Sequence, residues 1–568
     1  MNFPNKFLII LILILALFLR VWGLDKVPVS LFGDEVDVGY HAYSLLKTGK
    51  DYSGNFLPLR LRSLADSKNP LYSYSIIPTV AMFGISPLGV RLPAALFGVL
   101  GIYLFYLLIN LLFKNKSLAL LCAFLLTISP WHIHYSRWGF EGTEMLAFYL
   151  AGFYCFMKSF NNFRLLILAA ILFGLTPAVY HSAEVFVPLT LIALTVIYRR
   201  QINKFSKKTL LISTLIFILI VTPFVISTLF GGGIDRFKAT SIFNSPTISG
   251  ELGADRVRDS KMYTPSFLAS LFHNKITYYG RKIITNYLQS FSTEFLFISG
   301  DPEPTHTPSG SGEFYKFEAV FMALGLVFLF LKTNDRKAKI FFVFWLMAAP
   351  LPSILTDHGG FHASRLLFLL PPLTFLIALG IYYSYFLLGN FKRIFLICLS
   401  MVTLLSFIFF EHNYWTHYPW DSQRWWHAGF EEAIKSTVLI GQKYDKVIIS
   451  GADEPPLIFF LGWSQFPPSE FQHNYPFVKV NLEGIGEVSK LNKYYFPPIG
   501  KERGLYELGS ILPKDTLYLA TAKEIKLDLI KEPGRVPSDL TLIKSFSYPS
   551  SEPAFYLFTK NEALKRIR

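Results

Sequence analysis

Long apolar segments alternate along the chain with short turns, and this alternation overrides any finer periodicity. Residues 7–19 carry no charge and end at Arg20. Comparable segments cover 88–113, 117–129, 143–157, 165–180, 183–198, 209–229, 314–331, 340–355, 366–388 and 394–410. A membrane-crossing helix needs roughly 20 mostly apolar residues. Several segments are shorter, and with 7–21 as the first span the pattern predicts about eleven transmembrane helices. Three stretches fall outside the lipid phase: a first loop at 22–87, a Gly-, Pro- and Ser-rich loop at 230–313, and the region 411–568. The piece from Pro70 to Pro78 is moderately apolar and is expected to lie along the interface as a short helix. In the second loop a helical pattern runs over 274–297. The last region alternates a helical segment, 425–442, with β-branched runs at 446–450, 516–520 and 554–559, which predicts a small α/β domain.

Composition agrees. Hydrophobic residues make up 52% of the 568 positions and charged residues only 16%, the profile of an α-helical polytopic membrane protein. The net charge of +15 would suggest nucleic acid in a soluble protein, but its placement argues otherwise. Alternate turns hold sixteen Lys and Arg, among them Lys114, Lys116, Arg199, Arg200, Lys207 and Lys208, against one acid, Asp335, which accounts for the whole excess. Basic turns face the cytoplasm, so the amino terminus is expected inside and region 411–568 outside. The exit from the first segment, Leu19-Arg-Val-Trp-Gly23, has no small-residue cleavage site, the pattern of a retained signal anchor. Cys122, Cys155 and Cys398 all fall in apolar segments, so no disulfide framework or cysteine metal motif is expected.

The opposite turns mix Asp, Glu, His and Arg. The first loop presents Leu31-Phe-Gly-Asp-Glu-Val-Asp37, with the adjacent acids Asp34 and Glu35. Then come Trp131-His-Ile-His-Tyr-Ser-Arg137, His181 with Glu184, Ser299-Gly-Asp-Pro-Glu-Pro-Thr-His306, and Asp357-His-Gly-Gly-Phe-His-Ala-Ser-Arg365. Polar residues at helix ends ordinarily just meet water and headgroups, and Arg365 could simply snorkel. That reading fits both faces equally and leaves the asymmetry unexplained. Carboxylates, imidazoles and guanidiniums on one face suit a site that binds phosphate and activates a hydroxyl. His132 and His134, two apart, meet no established metal-ligand spacing. Asp34 and Glu35 are the pair to hold a divalent cation, if one is used, but two carboxylates are too few to name it. The glycine turns Gly231 to Gly233 and Gly359-Gly360 lack the Lys-Ser/Thr of a phosphate loop.

The stretch Gly33-Asp-Glu-Val-Asp-Val-Gly-Tyr-His-Ala-Tyr-Ser-Leu-Leu-Lys-Thr-Gly49 resembles the first external loop of bacterial GT-C glycosyltransferases, relatives of protein O-mannosyltransferases and lipid A aminoarabinose transferases. So, in order, do Lys68-Asn-Pro-Leu-Tyr72, Arg91-Leu-Pro-Ala-Ala-Leu-Phe-Gly98, Ser129-Pro-Trp-His-Ile-His-Tyr-Ser-Arg137, Phe295-Leu-Phe-Ile-Ser-Gly-Asp301 and His362-Ala-Ser-Arg-Leu-Leu-Phe-Leu-Leu-Pro-Pro-Leu373. The resemblance covers the module 1–410 and stops before 411–568. It implies transfer of a sugar, with inversion, from a polyprenyl-phosphate carrier to a protein, lipid or glycan acceptor outside the plasma membrane of a prokaryote. Asp34 would deprotonate the acceptor, with Glu35 as neighbour or metal ligand. Arg137, Arg365, His362 and Lys282 would meet the donor phosphate. Arg91, His132, His134, Asp301, His306 and His358 are further candidates on that face. The second loop shows no extra lectin-like domain, and Glu184 stands in a turn where a basic residue is more usual. A transporter or flippase for lipid-linked saccharides, and a glycan ligase or polymerase, remain alternatives; inverted repeats and mid-span ionisable residues, the marks of a transporter, are not evident.

Overall fold

The structure, a computed structural model, describes residues 5–64, 67–230, 238–451, 455–473, 478–482, 486–498 and 503–560. Gly231 to Gly233 lie outside the described residues. In chain order the main helices are α1 (Asn5–Val21), α2 (Gly33–Thr48), α3 (Pro87–Phe113), α4 (Lys116–Ile128), α5 (Pro130–Arg137), α6 (Gly142–Ser159), α7 (Arg164–Val179), α8 (Ser182–Ile197), α9 (Lys207–Phe230), α10 (Glu318–Leu331), α11 (Arg336–Ala348), α12 (Leu370–Leu387) and α13 (Lys392–His412). All eleven apolar segments thus lie on helices. Only five helical stretches among the described residues are long and apolar enough to cross a membrane: Pro87–Phe113, Lys207–Phe230, Arg336–Ile354, Leu367–Leu387 and Gly389–Asp421. A sixth is reached if α4 and α5, bent by 58°, form one span. Helices α7 and α8 have 16 residues each, a rise of about 24 Å against a hydrocarbon core of roughly 30 Å. Length alone therefore does not support a count of eleven.

Local sequence sets the helix ends. Ser86 caps α3 by accepting from Gly89 N at 3.1 Å, and Asn115 caps α4 by accepting from Leu118 N at 3.0 Å. Asp335, the one acid of the basic turns, accepts from Lys337 N (2.9 Å) and Ala338 N (3.0 Å) at the start of α11. Its carboxylate therefore serves as an N-cap. Helices α10 and α12 approach so closely at Gly325 and Gly380 that an added Cβ would stand 1.8 Å from Leu376 O and 1.9 Å from Phe321 O, respectively. Small residues permit such crossings where lipid supplies no hydrophobic drive.

The first loop is built around α2, and the interfacial piece forms two short helices, Leu71–Ser75 and Ile77–Phe83. Before them, strands β1 (Leu61–Arg62) and β2 (Ser67–Lys68) pair antiparallel. The second loop is largely helical, with Pro246–Lys261, Ser266–Phe272 and Lys275–Gln289. After α13 a seven-stranded mixed sheet forms from β3 (Lys446–Ile449), β4 (Val478–Leu482), β5 (Gly486–Leu491), β6 (Tyr494–Phe496), β7 (Thr516–Thr521), β8 (Leu540–Ser547) and β9 (Pro553–Lys560), in the order β4-β5-β6-β3-β7-β9-β8. Strand β3 runs parallel to β6 and β7, and the other pairs are antiparallel.

This α/β region shares its core with the first loop. Leu31, Val36 and Tyr40 pack in one cluster with Phe459, Leu461 and Phe471. Tyr40 Oη donates to Phe466 O at 3.0 Å, and Gln472 Nε2 donates to Asp51 O at 2.8 Å. The sheet region thus grips α2 and fixes where its first turn points.

Candidate active site

Helix α2 begins at Gly33, so Asp34 and Glu35 leave the axis about 100° apart and enter different surroundings. The Glu35 side chain is fully buried against a fully buried Arg91. Its Oε1 accepts from Arg91 Nε (2.7 Å) and Gly139 N (2.7 Å), and its Oε2 accepts from Arg91 Nη2 (2.8 Å) and Phe32 N (3.2 Å). Arg91 also donates to the carbonyls of Leu24 (3.2 Å), Pro28 (2.7 Å) and Ser30. This bidentate pair pins the loop entering α2 to the start of α3.

The Asp34 side chain is 64% exposed. Lys68 Nζ donates to Asp34 Oδ1 at 2.8 Å and lies 2.9 Å from Asp37 Oδ2. Asp34 Oδ2 has no hydrogen-bond partner among the described residues. Asp37 is buried. Burial raises its pKa, but Lys68, His41 and the Tyr52 hydroxyl outweigh that and hold it below the ordinary 3.8. His41, buried and stacked on Tyr52 at 4.0 Å, is pushed below 6.5 by burial, against the pull of Asp37 and Asp51. Lys68 holds one oxygen of Asp34, and Arg91, Gly139 N and Phe32 N hold both oxygens of Glu35, so the two acids face different partners.

Asp34 faces a cleft lined by Lys68, Asn69, Trp138, Phe140, Tyr180 and His181. Asn69 also lines a neighbouring groove of Pro177, Val187, Phe217, Val221 and Phe224, with Arg60 and Glu184 at its polar rim. The two are separated by a polar cluster. Glu184 Oε1 lies 3.0 Å from His181 Nδ1, 3.4 Å from Arg60 Nη2 and 3.5 Å from Asn69 Nδ2, and Arg60 Nη2 donates to Thr228 Oγ1 at 2.6 Å. A polar cleft with an exposed carboxylate thus opens beside an apolar groove among α7, α8 and α9.

The other expected residues separate. Arg137 is buried, its guanidinium donating to the carbonyls of Leu19 (3.0 Å), Trp22 (2.7 Å), Gly23 (2.9 Å) and Val27 (2.9 Å) and lying 4.8 Å from the Trp415 ring. It is a clamp on the turn after α1, which argues against a phosphate contact there. Helix α5 sends His132 and His134 to opposite sides: His132 Nδ1 is 2.6 Å from Arg20 Nη2, and His134 Nε2 is 2.8 Å from Thr305 O. Arg365 Nη1 donates to Thr356 Oγ1 at 2.6 Å, and Lys282 Nζ stands 3.7 Å from Asp357 Oδ1. His358 is exposed. Asp301, His306 and His362 form a separate cluster. Arg60, Lys68 and Asn69 join the site without being among the residues expected there. Lys68-Asn-Pro was a visible motif without an assigned partner, while Arg60 is one basic residue in a mixed loop and carried no signal.

The family model of dolichyl-phosphate-mannose-protein mannosyltransferase matches residues 10–232. ArnT from Cupriavidus metallidurans bound to undecaprenyl phosphate is similar in structure, with a TM-score of 0.54 at 11% identity over 96% of this chain and 97% of that one. The oligosaccharyltransferase of Archaeoglobus fulgidus in complex with Zn and sulfate gives 0.49 at 13% identity over 80% of this chain, which spans 61% of that longer protein. The S. cerevisiae protein O-mannosyltransferase Pmt1-Pmt2 complex bound to the sugar donor gives 0.31 at 18% identity over 40% and 34%. No curated protein matches by sequence. The chain therefore has the fold of the GT-C membrane glycosyltransferases. Residues 10–232, under half of the chain, are similar to the protein mannosyltransferase family model.

Proposed function

We propose that the protein transfers a sugar, with inversion, from a polyprenyl-phosphate carrier to a hydroxyl acceptor on the outer face of a prokaryotic plasma membrane. The observation that carries this reading is the exposed Asp34 carboxylate in a cleft beside an apolar groove, with Arg60, Asn69 and His181 between them. In the proposed step the acceptor O–H gives its proton to Asp34 Oδ2 as its oxygen attacks the anomeric carbon from the side opposite the phosphate. The bond from that carbon to the phosphate oxygen breaks, and the lipid phosphate leaves with one more negative charge. Lys68 holds Asp34 Oδ1 and orients the free oxygen. Arg60, at the polar rim of the apolar groove, would meet the leaving phosphate, where cationic donors stabilise developing charge. The groove of Val187, Phe217, Val221 and Phe224 would take the prenyl chain. In this orientation the basic turns face the cytoplasm, and the sheet domain 411–568 sits outside, over the acceptor approach.

The test is transfer of radiolabel from a panel of polyprenyl-phosphate sugars to an envelope acceptor fraction by wild-type and Asp34→Asn protein in liposomes. Loss of a general base costs typically 10²–10⁴-fold, so the variant should fold and transfer at least a hundredfold more slowly. Full activity in the variant removes Asp34 as base. Silence of the wild type with every donor, joined to uptake or flipping of a labelled lipid-linked saccharide, favours the transporter reading.

A further inference from the structure

Asp301, His306 and His362 come from two segments separated by more than fifty residues, yet each offers a ligand atom within 4.8 Å of the others. The cluster is built. Asp301 Oδ1 accepts from Glu303 N at 2.9 Å and Oδ2 from Ala363 N at 2.9 Å, and its own N–H donates to Thr307 Oγ1 at 3.1 Å. His306 Nδ1 lies 2.8 Å from Asp301 Oδ2. The His362 ring is drawn to 4.7 Å from the His306 ring at 31°, and its Nδ1 stands 3.0 Å from Ser364 Oγ. A second hydrogen bond of this kind fixes a ligating imidazole. The Trp138 ring lies 5.6 Å from the His306 ring.

A single Asp-His hydrogen bond is complete with two residues and does not require the second imidazole. We propose that Asp301, His306 and His362 bind a divalent transition-metal ion of the zinc type. Two imidazoles and one carboxylate are borderline-soft donors that suit zinc, with a water in the fourth position of a tetrahedron. The ion would clasp the end of the second loop to the segment before α12, one aromatic layer away from the Asp34 cleft through Trp138 and Phe140, whose rings stack at 4.7 Å. It stands apart from the transfer step, which uses Asp34.

The test uses the full-length protein in detergent, stripped with chelator and titrated with zinc against a chromogenic competitor, then reloaded with cobalt for its visible spectrum. Wild type and Asp34→Asn should each bind one tight equivalent and give a four-coordinate cobalt band. Ser364→Ala should weaken binding about 10–100-fold, the usual effect of removing a residue that orients a ligand, and His362→Ala by more than that. Thermal unfolding should shift upward with zinc in the wild type and not in His362→Ala. Substoichiometric binding by the wild type, equal affinity in wild type and His362→Ala, or loss of the metal in Asp34→Asn would each overturn the proposal. If the histidine variants do not fold, the wild-type cobalt spectrum alone decides: a four-coordinate band supports the site and its absence rejects it.

Discussion

Replacing Glu35 by Gln separates a structural carboxylate from a catalytic one with a change of one atom. Both Glu35 oxygens accept two hydrogen bonds, and every partner is a donor: Arg91 Nε, Arg91 Nη2, Gly139 N and Phe32 N. A glutamine has one acceptor and one donor, so either rotamer sets its NH2 against two of these donors. The neutral side chain also leaves the Arg91 guanidinium, buried with no exposure, without its counter-charge. Removing one partner of such a pair costs about 3–5 kcal/mol. With an unfolding entropy of about 2.1 cal/mol/K per residue over 568 residues, this corresponds to a Tm lowered by roughly 3–4 °C if unfolding is cooperative. The molecule supplies its own reporters, since Cys122 and Cys155 are buried and Cys398 is exposed. In a Cys398→Ala background a thiol-reactive dye reads unfolding directly. The double variant Glu35→Leu/Arg91→Met should recover part of the loss, because apolar replacement of a whole buried pair is often neutral. A Tm for Glu35→Gln within 1 °C of the parent, combined with loss of transfer, would refute the reasoning and return Glu35 to the catalytic group.

Arg137→Gln should lower Tm by more than Glu35→Gln, since a buried cation bonded to four carbonyls is lost and each charged bond is worth about 1.5–3 kcal/mol; an intact Tm with a raised donor KM would restore Arg137 as a phosphate ligand. Arg60→Ala should lower Tm, since the side chain is nearly buried between Glu184 and Thr228, and should also lower kcat/KM for the polyprenyl-phosphate donor by roughly 10–100-fold, the equivalent of one such bond, as measured by initial rates over a donor series on the folded variant. Acid should weaken the first loop: His41 and Asp37 both have folded pKa values below their unfolded 6.5 and 3.8, so the stability they contribute is present above those values and is lost as pH falls. The His41 contribution declines from pH 6.5 downward, and a thermal scan across that range should show a fall in Tm that His41→Gln removes.

The hydropathy pattern alone located the long apolar helices, because an apolar run has only one stable backbone in lipid, with its hydrogen bonds closed within the segment; the polar helices α2 and Pro246–Lys261 carried no such signal. The β-branched runs after residue 440 likewise announced strands β3, β7 and β9, and the motif order pointed to the GT-C fold. Tertiary structure decided what the polar residues do. Asp34 and Glu35 are neighbours in sequence, but helical geometry turns one to the cleft and the other to Arg91. His132 and His134 part for the same reason. Arg137 reads as a phosphate ligand until the carbonyls of the turn after α1 close around it. Asp301, His306 and His362 meet only because the two segments that carry them fold together, and Arg60 gains a role only because α8 and α9 bring Glu184 and Thr228 to it. A one-dimensional pattern records how far each residue prefers lipid or water. Which charges end up in contact depends on the distances that close when helices pack, and those are set by residues far away along the chain.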